Sequence, residues 1–491
     1  VRRSGLLRSQ PEVRKSVVLA LDLGTSSVRT ALFDHAGSRI AGTTEQRGYT
    51  LHTDREGRAE LDPDTVLAAL TECIAGTLAH RRGQPIVAVG GSCFWHSLIG
   101  IDNRARPVTP IITWADSRCR EDALHLRAIC DERAVHARTG CMLRPSFWPA
   151  KLAHLKRTAP TTWKKTRWWL SPADWLWLRL TGVGVTGHSM ASASGCYDST
   201  KRTWDAPLLK TLGLDPDHLP TIGDVEYTAV DGIAQRFPEL ANAHWFPALG
   251  DGAANNLGAG ATRAGLAAIN FGTSGAVRIV VPDTPQAKPA PYGLFRYRID
   301  AQRYLLGGAI SNAGGLRAWC LEHLRLPAES ELEHQLAKRP GPAHGLHVLP
   351  FWMAERAPTW RDDLTGAISG ITQSTTAIDL YQAITEATYH RLATIIERLP
   401  IDGKNLRFLV GGGIQKSRVA FQRLADVTGR TLIACDEAET SLRGAAVFAL
   451  EGLGLTPTDI GGRTVKPRQQ HAAAYAAERQ RLTHLESLLS P

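Results

Sequence analysis

The amino-acid sequence predicts an α/β protein of two similar halves, and three observations predict it. Short apolar runs of buried-strand length alternate with longer amphipathic stretches in both halves, the pattern of an α/β architecture. A strand–turn–strand device built on Gly-Thr-Ser occurs near residue 24 and again near residue 272. The small, glycine-rich segment near 258–266 lies between them as a natural hinge. At 491 residues the chain is too long for one comfortable core, so two or three domains sharing an interface are expected. The expected division is a basic arm over 1–16, domains over 17–262 and 263–455, and an extension over 456–491.

Each element has a local reason. Val17–Leu21 is continuously apolar, Asp22-Leu-Gly-Thr-Ser-Ser27 is a polar turn, and Val28–Phe33 resumes a strand pattern, which predicts a hairpin with a glycine tip. Asp62-Pro63 opens a helix running to Ala79, with proline in its first turn. Ile86–Gly90 is short and apolar enough for a buried strand. The Trp-rich stretch 163–177 is read as helix packing rather than ligand stacking. Leu266–Asn270, Gly272-Thr-Ser-Gly275 and Ala276–Val281 repeat the first hairpin. A long amphipathic helix is expected over Ala377–Leu399, then a strand over Phe408–Val410, the loop Gly411-Gly-Gly413, and a helix Val419–Thr428 stopped by Gly429.

Composition excludes several classes. The chain is 43% apolar and 21% charged, an ordinary globular balance. Its net charge of +10 is scattered apart from the first fifteen residues, so no basic stripe marks a nucleic-acid footprint. A mildly positive protein suits anionic small molecules such as nucleotides. No run of about 18 apolar residues argues for a membrane span, and the basic N-terminal arm lacks an apolar signal core. The eight cysteines form neither a CxxC pair nor a zinc spacing and read as buried thiols in a reducing compartment. A cytoplasmic location is expected.

The residues able to do chemistry fit phosphoryl transfer, which needs a phosphate cradle, a Mg²⁺ site and a base aimed at the attacking oxygen. Glycine lets the two turns approach an anion with successive N–H groups, and Thr and Ser add small donors. One such turn is an ordinary hairpin; two favour phosphate. Asp22, at the end of the first strand, either caps its turn or holds Mg²⁺ directly or through water. Asp251 lies between Gly250 and Gly252, just before a helical pattern, and is either an N-cap or a base. A helix N-terminus there would favour the ionised form. Gly411-Gly-Gly413 suits a flat base or ribose, though triple glycine also makes plain loops.

With these pieces placed, the sequence resembles the FGGY carbohydrate kinase family from about Val17 to Leu450. The matching segments, in order, are LALDLGTSSVR (19–29), HSLIGID (96–102), ITWADSR (112–118), GDGAANNLG (250–258), NFGTSGAVR (270–278), LPFWMAERAPTW (349–360), FLVGGGIQKS (408–417) and TSLRGAAVFAL (440–450). The resemblance implies a duplicated ribonuclease-H-like, actin-type ATPase fold whose two domains close on ATP and a sugar.

The resemblance also implies roles. Asp251 falls on the catalytic base. Asp22, Gly24, Thr25, Ser26 and Ser27 fall on the first phosphate turn with Arg29 close behind, and Gly272, Thr273 and Ser274 fall on the second. Gly314, Gly412, Gly413 and Ser417 fall on ATP-binding segments, and Trp95, His96, Asp116, Ser146 and Gly252 on substrate contacts. Where xylulose kinases tend to have Met-His-Gly, this chain has Trp95-His96-Ser97. Gly252 stands where xylulose and glycerol kinases carry Asn or Gln, which would free space and remove a hydrogen-bonding group. These features are similar to the gluconate kinase branch. For gluconate, Arg118, Arg144 and Lys151 are the expected partners of the substrate carboxylate. Xylulose, erythritol and glycerol stand as other acceptors, and an actin-like ATPase acting on a protein partner stands as a different class. The expected partners are ATP with Mg²⁺ and a small sugar or sugar acid, without nucleic acid or membrane, and a homodimer is left open.

Overall fold

The computed structural model describes residues 16–232, 236–285, 287–361, 363–400 and 406–489. The expected basic arm lies outside the described residues except for Ser16, which is buried. Strand β1 (Val17–Leu23) is buried along its whole length, as its unbroken apolar run requires. It turns at Gly24, whose N–H donates to the Ser27 carbonyl at 2.9 Å, into antiparallel β2 (Ser27–Phe33). Asp22 then sits directly opposite Arg29. β3 (Glu45–Gly48) pairs with β2. Helix α1 (Pro63–Ala79) starts at Asp62, whose carboxylate accepts the Thr65 N–H at 2.9 Å. β4 (Ile86–Cys93) returns parallel to β1, and β5 (His244–Trp245) and β6 (Leu249–Gly250) add to β4. Helix α2 (Asp251–Gly258) follows at once.

The second half repeats this plan. β7 (Leu266–Phe271) and β8 (Gly275–Pro282) form the second hairpin, with β9 (Phe295–Arg298) and β10 (Arg303–Ile310) beyond β8. After α3 (Gly314–His323) and the long α4 (Ala377–Arg398), β11 (Arg407–Gly411) pairs parallel to β7. Helix α5 (Arg418–Thr428) ends at Gly429, which takes the left-handed conformation. β12 (Leu432–Ala434) then pairs parallel to β11. The first sheet runs β3-β2-β1-β4-β5, and the second runs β10-β8-β7-β11-β12 with an added strand at each edge. Identical order and direction in both sheets give the duplicated ribonuclease-H-like fold.

Two segments depart from their place in the sequence. Helix α6 (Thr440–Gly452) comes from the second half, yet Leu442, Ala445 and Val447 join the first sheet's core against β1 and β4. The 456–491 extension is integral to the second domain. Its strand β13 (Thr464–Val465) pairs with β12, and Tyr475 of α7 (Gln469–Leu488) is buried in the second core. The Trp-rich stretch packs internally as expected: Trp169, Trp175 and Trp177 are fully buried. Trp177 donates its indole N–H to the Phe246 carbonyl at 2.9 Å.

The two halves are joined where α2 crosses α6 with backbones in contact. A β-carbon on Gly258 would strike the Thr440 carbonyl, and one on Gly444 the Ala254 carbonyl. Only glycine permits this approach at either point. Gly444→Ala should therefore force the helices apart and destabilise the protein by about 1–3 kcal/mol. A lowered thermal midpoint checks this, and an unchanged midpoint would contradict the contact.

Candidate active site

A cavity of about 360 Å³ opens between the two sheets. Its floor on one side is the first hairpin, with Asp22, Gly24, Thr25 and Arg29. On the other side it is the second hairpin, with Asn270, Ser274, Gly275 and Arg278. Asp251 faces the same space from the first residue of α2, and Trp95, His96, Ser146 and Trp360 form the walls. A second cavity, of about 1100 Å³, lies in the second domain and contains Gly272, Thr273, Gly314, Gly413 and Ser417. The second hairpin turn separates the two spaces. Consecutive Phe271, Gly272 and Thr273 line the larger, and the flanking Asn270, Ser274 and Gly275 the smaller.

The larger cavity is shaped by close backbone approach. The Gly314 N–H donates to the Gly272 carbonyl at 2.9 Å, and a β-carbon on Gly314 would lie 2.6 Å from that oxygen. Gly412 has φ +96° and would meet the Phe271 carbonyl at 2.6 Å if substituted. Ser417 caps α5, accepting the Ala420 N–H at 2.9 Å while donating to Glu333 at 2.8 Å. Gly314 and Gly412, distant in sequence, thus converge on the turn at Phe271 and Gly272.

Asp251 occupies the N-terminal position of α2, with Gly250 as the cap residue, so it is not itself the N-cap. Its carboxylate accepts the Gly252 N–H at 2.8 Å and opens to the cavity. The surrounding protein mass raises its pKa, while the charge of Arg278 and its backbone hydrogen bonds oppose the rise. Asp22 is buried and binds Arg29 at 2.6 Å; Arg29 also reaches Glu439 of the other half at 2.6 Å. Burial raises the Asp22 pKa against the pull of Arg29 and Ser92.

His96 is held at φ +65°, a conformation costly for a residue with a β-carbon. Its Nδ1–H donates to the Ala193 carbonyl at 2.6 Å, which leaves Nε2 as the acceptor nitrogen. Phe147 and Tyr297 pack edge-on against its ring. Burial lowers its pKa to about 3, so the ring is neutral at ordinary pH.

Other expectations are corrected. Asp116 does not line the cavity; its carboxylate accepts the Ala59 N–H at 3.0 Å and pairs with Arg118 at 2.7 Å. Arg118 also pairs with Glu60, Arg144 with Glu132, and the buried Lys151 donates to the carbonyls of Pro145 and Ser146. None of these three cations lines the cavity. Arg144 and Lys151 instead hold its walls, Arg144 through the Trp360 carbonyl at 3.3 Å and Lys151 through Ser146. The cations that do line it are Arg278 and Arg356, both inside the motifs quoted above, together with Arg29. Ser26, Ser27 and Gly252 do not line the cavity, and the space beside Gly252 is filled. A β-carbon there would collide with the Trp95 ring and lie 3.0 Å from Nε and Nη2 of Arg278.

Two carboxylates, Asp22 and Asp251, line the smaller cavity. No cluster of three or more His, Cys, Asp or Glu among the described residues forms a metal cage. This donor set suits an ion such as Mg²⁺, which takes one or two carboxylates and fills its shell with water and phosphate oxygens. No helix among the described residues is long and apolar enough to cross a membrane. All eight cysteines are free thiols, seven of them buried.

Comparison with known proteins agrees with this architecture. Residues 17–231 match the N-terminal domain, and 267–452 the C-terminal domain, of the FGGY family of carbohydrate kinases. The gluconokinase of Bacillus licheniformis is 28% identical over 483 residues, 93% of this chain and 92% of its own. The xylulose kinase of Lactobacillus acidophilus superposes with TM-score 0.90 at 24% identity, covering 97% of this chain and 98% of its own. The gluconate kinase of the same organism superposes with TM-score 0.88 at 25% identity, covering 96% and 98%. The fold is that of actin-type ATPases, and the chain belongs to the FGGY family of carbohydrate kinases.

Because His96 is already neutral, no histidine charge changes in the acceptor cleft between about pH 5 and 8. NMR titration of the His96 ring should show it neutral across that range. A His96 resonance titrating near pH 6.5 would contradict the assigned state.

Proposed function

We propose that this protein transfers the γ-phosphoryl group of ATP to a hydroxyl of a sugar acid, converting gluconate to 6-phosphogluconate. The observation that carries the reading is the placement of Asp251 in one cavity with both phosphate turns, while the larger cavity adjoins across the second turn. ATP in the larger cavity would direct its phosphates over Gly272–Ser274 toward the acceptor. The acceptor oxygen attacks the γ-phosphorus, the bond to the ADP oxygen breaks, and the proton passes to the Asp251 carboxylate as the transition state forms. The hydroxyls of Thr25 and Ser274 would hold phosphoryl oxygens, and Gly24 shapes the turn that presents them. Asp22 would hold Mg²⁺, directly or through water, and the ion when bound neutralises phosphate charge. His96 Nε2 would accept from an acceptor hydroxyl, and Ser146 and Trp95 would bound the sugar.

The acceptor-side residues Trp95, His96 and Asp251 separate this reading from an actin-like ATPase, which has no use for a walled acceptor cleft beside its phosphates. The gluconokinase relative, at 28% identity, supports gluconate; xylulose and glycerol kinases at 27–28% identity keep those acceptors as the alternatives.

ADP release with Mg·ATP, measured over gluconate, xylulose, erythritol and glycerol, should be stimulated most by gluconate. Preference for a neutral polyol would overturn the acceptor, and stimulation by none would overturn the kinase reading. Asp251→Asn should lower kcat by about 10²–10⁴-fold, the usual contribution of a general base, with ATP affinity largely kept. The acid limb of kcat/KM should lie above the ordinary aspartate range, since a raised pKa leaves the base protonated at higher pH. Full activity of Asp251→Asn would show that another group takes the proton.

A further inference from the structure

The charges around the acceptor rest on that reading and deepen it. Arg278 on β8 and Arg356 line the smaller cavity with Asp251. Among the described residues neither arginine makes an ion pair. Nε and Nη1 of Arg278 are buried without an acceptor. Arg356 spends Nη2 on the Ile310 carbonyl at 2.8 Å. Burial, and then the charge of Arg278, lowers the Arg356 pKa to about 10.

The remaining charges in the cavity do not compensate them. Arg29 is committed to Asp22 and Glu439 at 2.6 Å each, and His96 is neutral. Two arginines therefore face one carboxylate, Asp251, on the acceptor side. Both belong to that side by their neighbours. Arg278 lies against Gly252 and Trp95, and Arg356 lowers the pKa of His96. A neutral acceptor would leave two cations against one carboxylate, which is unfavourable in a buried site. A monoanion brings that local charge to zero. Arginine suits the task because its planar fork matches a carboxylate.

We propose that Arg278 and Arg356 bind the carboxylate of an aldonic acid. A β-carbon at Gly252 would lie 2.2 Å from the Trp95 ring and 3.0 Å from the Arg278 guanidinium, so a side chain there would displace the ring and press on the cation. The acceptor is thus held at two ends, its carboxylate on the arginines and its reacting hydroxyl on Asp251.

Calorimetric titration of the full chain with aldonates, gluconate first, and with the neutral alditol of each tests this without turnover. The wild type should bind the acid more tightly than its alditol. Arg278→Met and Arg356→Met should each shrink the acid-to-alditol affinity ratio by about tenfold to hundredfold, the range of a charge-assisted hydrogen bond. Arg278→Lys, which keeps the charge without the fork, should lose less than Arg278→Met. Arg356→Met carries the test if Arg278→Met does not fold. No preference for any acid over its alditol in the wild type would overturn the proposal. So would an unchanged ratio in the variants, or a loss of affinity for a non-hydrolysable ATP analogue in place of the acid. A protein that binds gluconate on these arginines without phosphorylating it would fail the reaction proposed above and leave the anion site standing.

Discussion

The structure depends on the backbone-to-backbone crossing of α2 and α6. α2 begins with Asp251 and closes the first half, while α6 comes from the second half and lies on the first sheet. Gly258 and Gly444 let the two helices touch without intervening side chains. Gly90 of β4 extends the same logic, because a β-carbon there would strike the Ala445 carbonyl. The position of Asp251 relative to the phosphate turns is therefore set by packed backbone. Such packing is stiff, since interiors are close-packed and small volume changes are felt.

Around that fixed point the cleft divides by charge. Arg29 bridges Asp22 on the first hairpin and Glu439 just before α6, so one guanidinium ties the first phosphate turn to the second half of the chain. On the other side of Asp251, Arg278 and Arg356 have no such partner. The difference is informative because a buried, uncompensated cation is unfavourable unless something completes it. Arg29 is ion-paired within the fold, and among the described residues Arg278 and Arg356 are not.

Much of this was legible in the sequence. Both hairpins, α1, α4 and α5 followed from apolar runs, Asp62-Pro63 and Gly429, because those signals are local and the fold agrees with them. The Gly-Thr-Ser turns and Asp251 were legible as candidates, and Asp22, Gly24, Thr25, His96, Ser146 and Ser274 do share one cavity. Side-chain direction was not legible. Arg118, Arg144 and Lys151 stood near the right motifs, but their partners are Glu60, Glu132 and the Pro145 and Ser146 carbonyls, and no spacing rule reveals those pairings. Arg278 did leave a signal, as a lone charge within the apolar strand Gly275–Pro282. Gly252 was read as leaving empty space, when its neighbours across the chain had already filled it.

The central claim is that the cleft passes a phosphoryl group to an acceptor hydroxyl instead of to water. Phosphorus-31 NMR of the protein with Mg·ATP and gluconate tests it most directly. The account predicts a new phosphomonoester resonance growing in step with ADP, identified as 6-phosphogluconate by addition of that compound. ADP accompanied only by inorganic phosphate would contradict it.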